Sequence, residues 1–301
     1  MDRVDAMQIF VRVAQAGSFS AVAAERNVAR SVVTRQVAAL ESHLGTKLIA
    51  RSTRRLTLTS AGAAYLEKCQ GILDLVADAE AEATDERANP RGHIRLSVPL
   101  SLGVRHLMPL ISEFVAQHPG VTVDVDFNDR RVDMVEAGLD LSIRIANELD
   151  PSAVVRTISV CHSVVVAAPD YLARRGEPSH PRELIEHDCM TYAPHFRASW
   201  PFKDGDRVQS FPVRGRLHAN NADALLEAAV RGHGITYLPT FIANPAIAAE
   251  HLRVILPDHP PLSHGIHVIL SGGRYVPHRV RALVDHLAAR TGPVPFWDRR
   301  L

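Results

Sequence analysis

The stretch SFSAVAAERNVARSVVTRQVAALESHLG, residues 18–45, decides how this chain is read. In its second half Val33, Val37, Leu40 and Leu44 follow each other at steps of four, three and four. That spacing predicts a helix from about Arg30 to Leu44 with one buried face, and Gly45 is placed to end it as a C-cap residue. The first half opens with Ser18 and Ser20, either able to cap a short helix running to about Arg26. Phe19 is placed to pack between helices, and Asn27-Val28 makes the corner. Two helices joined by a tight corner, the second carrying Ser31, Thr34, Arg35 and Gln36 opposite its apolar stripe, have the form of a helix-turn-helix. Upstream, Met7, Phe10, Val11 and Ala14 recur at helical steps until Gly17 stops the run.

Downstream, two short β-prone segments flank the basic turn Arg51-Ser52-Thr53-Arg54-Arg55, which reads as a wing. Thr59 or Ser60 then caps a long helix reaching about Glu86. Tyr65, Cys69, Ile72, Val76, Ala79 and Ala83 recur along it at alternating steps of four and three, the heptad spacing of a coiled coil. A helix of that length is about 40 Å long at ~1.5 Å per residue, too long and one-sided to stand alone. It is expected to pair with a copy of itself.

Charge divides the chain along the same lines. Residues 1–60 carry nine Lys/Arg against four acids, a net of +5, and residues 61–90 carry two against seven, a net of −5. Only the head is therefore suited to a polyanion. The three cysteines, Cys69, Cys161 and Cys189, are too few and too scattered for a disulfide framework. No apolar run approaches a membrane span and the N-terminus is not a signal peptide, so a cytoplasmic protein with no membrane partner is expected.

Asn89-Pro90-Arg91-Gly92 opens a second body of alternating strands and helices. Strands are expected at 93–98, 121–127, 141–145, 164–168, 234–238 and 265–270, and helices at 103–117, 132–138, 222–231 and 280–290. This order implies a doubly wound parallel sheet. Two α/β lobes with a ligand cleft between them fit the pattern. The expected division is 1–59 for the winged helix-turn-helix, 60–89 for the linker helix and 90–301 for the body. Within the body, lobe I takes about 91–162 and 266–301, and lobe II about 163–265.

These residues resemble one family. Gly17-Ser18-Phe19-Ser20, Ala23, Thr34-Arg35-Gln36-Val37, Leu40-Glu41, Leu44-Gly45, Leu58-Thr59 and Ala61-Gly62 look like the head of LysR-type transcription regulators. The likeness continues through His118-Pro119, Gly138-Leu139-Asp140-Leu141, Pro169-Asp170-Tyr171-Leu172 and Gly232-His233-Gly234-Ile235, and so covers essentially the whole chain. The resemblance implies an N-terminal winged helix-turn-helix and a C-terminal body like a periplasmic binding protein. It further implies dimers or tetramers on an interrupted dyad in promoter DNA, and a small-molecule effector. Two positions depart from the usual head: Arg26 stands where a buried leucine is usual, and Ala29 where a serine usually opens the recognition helix.

The expected DNA contacts are Arg30, Ser31, Val32, Thr34, Arg35 and Gln36 on the recognition helix, with Arg51, Thr53, Arg54 and Arg55 on the wing. An effector, with a carboxylate as one candidate, is expected against Pro99, Ser101, Leu102, Asn128 and Arg144 in lobe I. In lobe II it would meet His195, Phe196, Trp200 and Asn220. The histidines His259, His264 and His267 match no metal-ligand spacing, and no cofactor is expected. Two alternatives are an architectural DNA-binding dimer without a ligand and an enzyme built on the two-lobed body. The second lacks a Gly-Xaa-Ser-Xaa-Gly elbow, a phosphate loop and a zinc-binding His-Glu-Xaa-Xaa-His.

Overall fold

The computed structural model describes residues 2–51, 56–83, 90–130, 132–192, 199–204, 207–271 and 276–299. Two compact units meet in sequence at Asn89 and Pro90.

In the first unit, α1 (Arg3–Ala16), α2 (Phe19–Glu25) and α3 (Arg30–Leu44) pack around Ile9, Phe10, Val13, Val22, Val33, Val37 and Leu40. Ser18 caps α2 by accepting from Ala21 N (3.2 Å). Gly17 and Gly45 end α1 and α3 in the left-handed region that favours glycine. The stripe on α3 differs from its sequence reading at the last position: Glu41 is buried, while Leu44 is exposed. Strands β1 (Ile49–Arg51) and β2 (Leu56–Leu58) pair antiparallel. The Thr59 hydroxyl then accepts from Gly62 N (2.9 Å) and caps α4 (Ser60–Ala83).

In the second unit, lobe I is a five-stranded sheet in the order β4-β3-β5-β14-β6. These are β3 (Gly92–Val98), β4 (Val121–Phe127), β5 (Leu141–Ala146), β6 (Val154–Cys161) and β14 (His264–Leu270). The first three are mutually parallel, as their crossover connections require, but β14 runs antiparallel to both neighbours. The wholly parallel sheet is thereby corrected to a mixed one, because the last strand returns from the other lobe. The first crossover starts earlier than its periodicity suggested, as α5 (Leu100–Leu102), a π turn over Gly103–Leu107 and α6 (Met108–Gln117). No helix forms at 132–138. Asp133 Oδ1 accepts from Val135 N and Glu136 N, and Gly138 has a positive φ, so a single turn is closed off before it can propagate. Helix α10 (His278–Thr291) covers the sheet with Val280, Leu283 and Leu287.

Lobe II is a second five-stranded sheet in the order β11-β8-β12-β7-β13. Its strands are β7 (Ser163–Ala167), β8 (Cys189–Tyr192), β11 (His218–Ala219), β12 (Ile235–Pro239) and β13 (Arg253–Ile255). Helices α7 (Pro169–Arg175), α8 (Ala222–Val230) and α9 (Thr240–Ala248) flank it, and a hairpin of β9 (Ser199–Asp204) and β10 (Arg207–Pro212) lies alongside.

Candidate DNA-binding head and effector cleft

Helix α3 turns Val33, Val37 and Leu40 inward and leaves Arg30, Ser31 and Arg35 exposed, with Val32, Thr34 and Gln36 half-buried. Among the described residues the guanidiniums of Arg30 and Arg35 have no protein acceptor. Such donors are free for phosphate oxygens or guanine edges. Ala29 starts the helix in extended conformation with no side-chain cap, so the first N–H groups of α3 are open. Arg26 does not face outward for a phosphate. Its Nη1 donates to Asp5 Oδ1 (2.5 Å) and its Nη2 to Gln8 Oε1 (2.9 Å), tying α2 to α1.

The residue that holds the wing is one the pattern of the sequence did not single out. Glu41 Oε1 accepts from Leu48 N (3.0 Å) and Ile49 N (3.1 Å), and its Oε2 from Lys47 Nζ (2.6 Å). Burial works to raise its pKa, but Lys47 and the two backbone donors prevail and hold the carboxyl below its ordinary value. A carboxylate inside the head thus fixes where β1 leaves α3. Of the expected wing contacts, Arg51 closes β1, while Thr53, Arg54 and Arg55 lie outside the described residues.

The heptad seam of α4 is only partly available to a partner. Cys69 is fully buried in the core of the head and Tyr65 packs on Phe10 with ring centroids 5.8 Å apart. The first two seam positions are therefore corrected to intramolecular core, because α1 lies across the N-terminal turns of α4. Ile72 and Ala79 are exposed, Val76 is half-buried, Ala83 closes the helix, and Leu75 adds a further exposed apolar side chain.

In the body, the lobes meet around a cleft whose groups are already engaged with each other. The Ser101 hydroxyl donates across the cleft to Asp223 Oδ2 (2.5 Å). Arg105, one turn further along the same crossover, donates to Asp223 Oδ1 from Nε (3.0 Å) and Nη2 (2.5 Å). Asp223 sits in the first turn of α8, in lobe II. A second carboxylate, Asp129, accepts from Leu100 N (3.1 Å) and acts electrostatically on Tyr192 at the end of β8. Burial, then the Asp129 charge, pushes the Tyr192 hydroxyl up to about 12. A third crossing joins His106 Nε2 to the Phe241 carbonyl (3.3 Å), with the imidazole against Trp297 at 4.7 Å. Burial keeps His106 below its ordinary pKa.

The expected effector residues separate into several groups. Pro99 and Ser101 are buried at the start of the crossover, and Asn128 follows β4 with its Oδ1 accepting from Arg130 N (2.9 Å). Leu102 is fully buried in a core cluster that draws on both lobes. Arg144 is a brace. Its Nη1 donates to Asn128 O and Ile143 O, and its Nη2 to Ser97 Oγ and Arg130 O, which uses all four terminal N–H groups. Burial lowers its pKa. Trp200 is corrected to the lobe II core, against Tyr237, because β9 turns it inward with Phe202. Asn220 is exposed, and His195 and Phe196 fall outside the described residues.

Comparison with known proteins places the whole assembly. Residues 4–63 match the family described as bacterial regulatory helix-turn-helix protein, lysR family, and residues 87–292 match the LysR substrate binding domain. The chain is 35% identical over 287 residues to an HTH-type transcriptional regulator of Xanthomonas campestris pv. campestris, covering 94% of this chain and 83% of that one. Among solved structures, CrgA from Neisseria meningitidis is 28% identical with a TM-score of 0.60, covering 95% of this chain and 97% of that one. The Vibrio cholerae virulence activator AphB is 26% identical with a TM-score of 0.59, covering 95% and 98%. These relatives are regulators and not enzymes, which removes the enzymatic alternative, and no described helix is long and apolar enough to cross a membrane. The chain belongs to the LysR family of bacterial transcription regulators, with a DNA-binding helix-turn-helix head and an effector-binding body.

Proposed function

We propose that this regulator reads an interrupted dyad in promoter DNA as a dimer, or a dimer of dimers, and that a small molecule entering the cleft of its body controls that reading. The observation that carries the DNA part is the outward face of α3, where Arg30, Ser31 and Arg35 stand exposed and the two arginines have no protein acceptor among the described residues. Arg35 is assigned to a base edge, Thr34, Gln36, Ser31 and Val32 to the groove around it, and Arg30 with the wing residues Arg51, Thr53, Arg54 and Arg55 to phosphates. The exposed apolar residues of α4 from Ile72 onward support pairing with a second copy. In the cleft, Ser101 and Arg105 hold a carboxylate of the protein itself, which supports an acidic effector able to take the place of Asp223.

The test is operator binding by full-length protein at several salt concentrations. Arg35→Ala is expected to weaken binding by about 5- to 150-fold, the equivalent of 1–3 kcal/mol, and to relax preference at one position of each half-site. An unchanged affinity and an unchanged sequence preference would remove α3 as the reading element.

A further inference from the structure

Lobe II carries a second concavity, at the far end of β8 from the cleft-lining Tyr192. It is an open depression of about 320 Å³, a size that suits a small ligand. Three arginines line it: Arg175 at the end of α7, and Arg214 and Arg216 on the segment leading into β11. That segment lies flush along β8, where Cys189 N donates to Arg214 O (2.7 Å) and Thr191 N to Leu217 O (3.2 Å). Between the two arginines a Cβ on Gly215 would sit 1.9 Å from the Cys189 carbonyl oxygen. Only glycine permits this approach, and it leaves Arg214 and Arg216 exposed on either side. Arg175 is placed by a bond from its Nη2 to Glu186 O (3.1 Å). None of the three guanidiniums has a carboxylate partner among the described residues.

A fourth group belongs to the same pocket. The Tyr171 hydroxyl accepts from Asp188 N (2.9 Å) and hydrogen-bonds His187 Nδ1 (3.2 Å). Burial, and after it Arg175, keeps His187 below its ordinary pKa. The Tyr171 hydroxyl thus occupies Nδ1 and leaves Nε2 as the ring nitrogen open to a ligand. Two carboxylates, Glu186 and Asp188, also line the pocket. They reduce its net charge to +1 and disfavour a long polyanion, while offering acceptors to hydroxyl groups.

We propose that this pocket binds a small phosphorylated polyol, its phosphate held by Arg175, Arg214, Arg216 and Nε2 of His187, and its hydroxyls by Glu186 and Asp188. Guanidiniums suit this role because their planar donors pair two at a time with phosphate oxygens. The site is separate from the cleft and independent of what the cleft binds.

The probe is glycerol 3-phosphate, titrated into the full chain at constant ionic strength with chloride, and read by thermal unfolding followed through tryptophan fluorescence. Both tryptophans, Trp200 and Trp297, lie in this unit. A saturable rise in the unfolding midpoint is expected. Its half-saturation should move up at least about tenfold in the Arg214→Ala, Arg216→Ala double variant and in Arg175→Gln, each loss being that of a charge-assisted bond. Arg231→Ala, an exposed arginine elsewhere on lobe II paired with Glu227, should leave it unmoved. A rise that does not saturate, or one that survives at full strength in the double variant and in Arg175→Gln, overturns the proposal.

Discussion

Replacing Glu41 by alanine is expected to loosen the head while leaving the body intact. The carboxylate accepts from two buried backbone donors, Leu48 N and Ile49 N, and pairs with Lys47. The Lys47 side chain is 74% exposed, so that pair contributes less than about 1 kcal/mol. The weight lies in the two N–H groups, each costing roughly 1–3 kcal/mol when left buried without an acceptor. Glu41→Ala should therefore destabilise the head by about 2–5 kcal/mol, whereas Glu41→Gln keeps an acceptor oxygen and should cost about 1 kcal/mol. For a domain of this size each kcal/mol lowers the midpoint by about 4–8 °C. Full-length protein reports this through two signals, because the head contains no tryptophan. Far-UV ellipticity should show an early transition in the alanine variant while tryptophan fluorescence stays put. Acid gives an independent check. The folded-state pKa of Glu41 is depressed, so its contribution is present above the unfolded value of about 4.3 and is lost as pH falls through the folded value. The wild-type head should consequently lose more stability on acidification than the glutamine variant. If the two variants behave alike, or the alanine variant shifts ellipticity by less than about 0.5 kcal/mol, the carboxylate does not anchor the wing.

Three further outcomes follow from the geometry. A double-mutant cycle on Arg105→Ala and Asp223→Ala, read by tryptophan-monitored unfolding, should give a coupling of about 0.5–1 kcal/mol that shrinks with salt, since each side chain is 34% exposed; additive effects would mean the lobes are not latched there. Placing glutamate at both Ile72 and Leu75 should shift sedimentation toward monomer and weaken dyad binding far more than half-site binding, whereas Tyr65→Glu should lower head stability instead. All three cysteines are buried, and burial pushes the Cys161 and Cys189 thiols up to about 12, so native protein should resist a thiol-alkylating reagent until unfolded; rapid labelling at neutral pH would contradict that burial.

The head was legible in the sequence because its information is local. The α3 period, the Ser18 cap and the Gly17 and Gly45 stops all act within a turn or two of themselves. Glu41 was legible in principle, standing four residues after Val37 on the buried stripe, but an acid there reads as solvated until β1 brings it two amides. The cleft was not legible. Ser101 and Asp223 are 122 positions apart, and neither carries a periodic mark of the other. Arg144 illustrates the same limit: its residue type suggests a ligand clamp, and only the positions of four acceptors reveal a brace. Trp200 reads equally as a binding wall or as core in the sequence, because aromatic residues suit both, and strand direction alone decides between them.

The packing of Tyr65 and the burial of Cys69 in the core of the head have a mechanical consequence. The head is soldered to the first turns of its own α4, so head and rod turn as one piece. A rod of 24 residues is about 36 Å long. If two such rods pair along their distal halves, the crossing lies about 27 Å from each head, and a change of about 10° in the crossing angle moves the two reading helices relative to each other by roughly 5 Å, more than one base-pair step. A small adjustment where the rods cross would thus be enough to move a dimer into or out of register with its two half-sites.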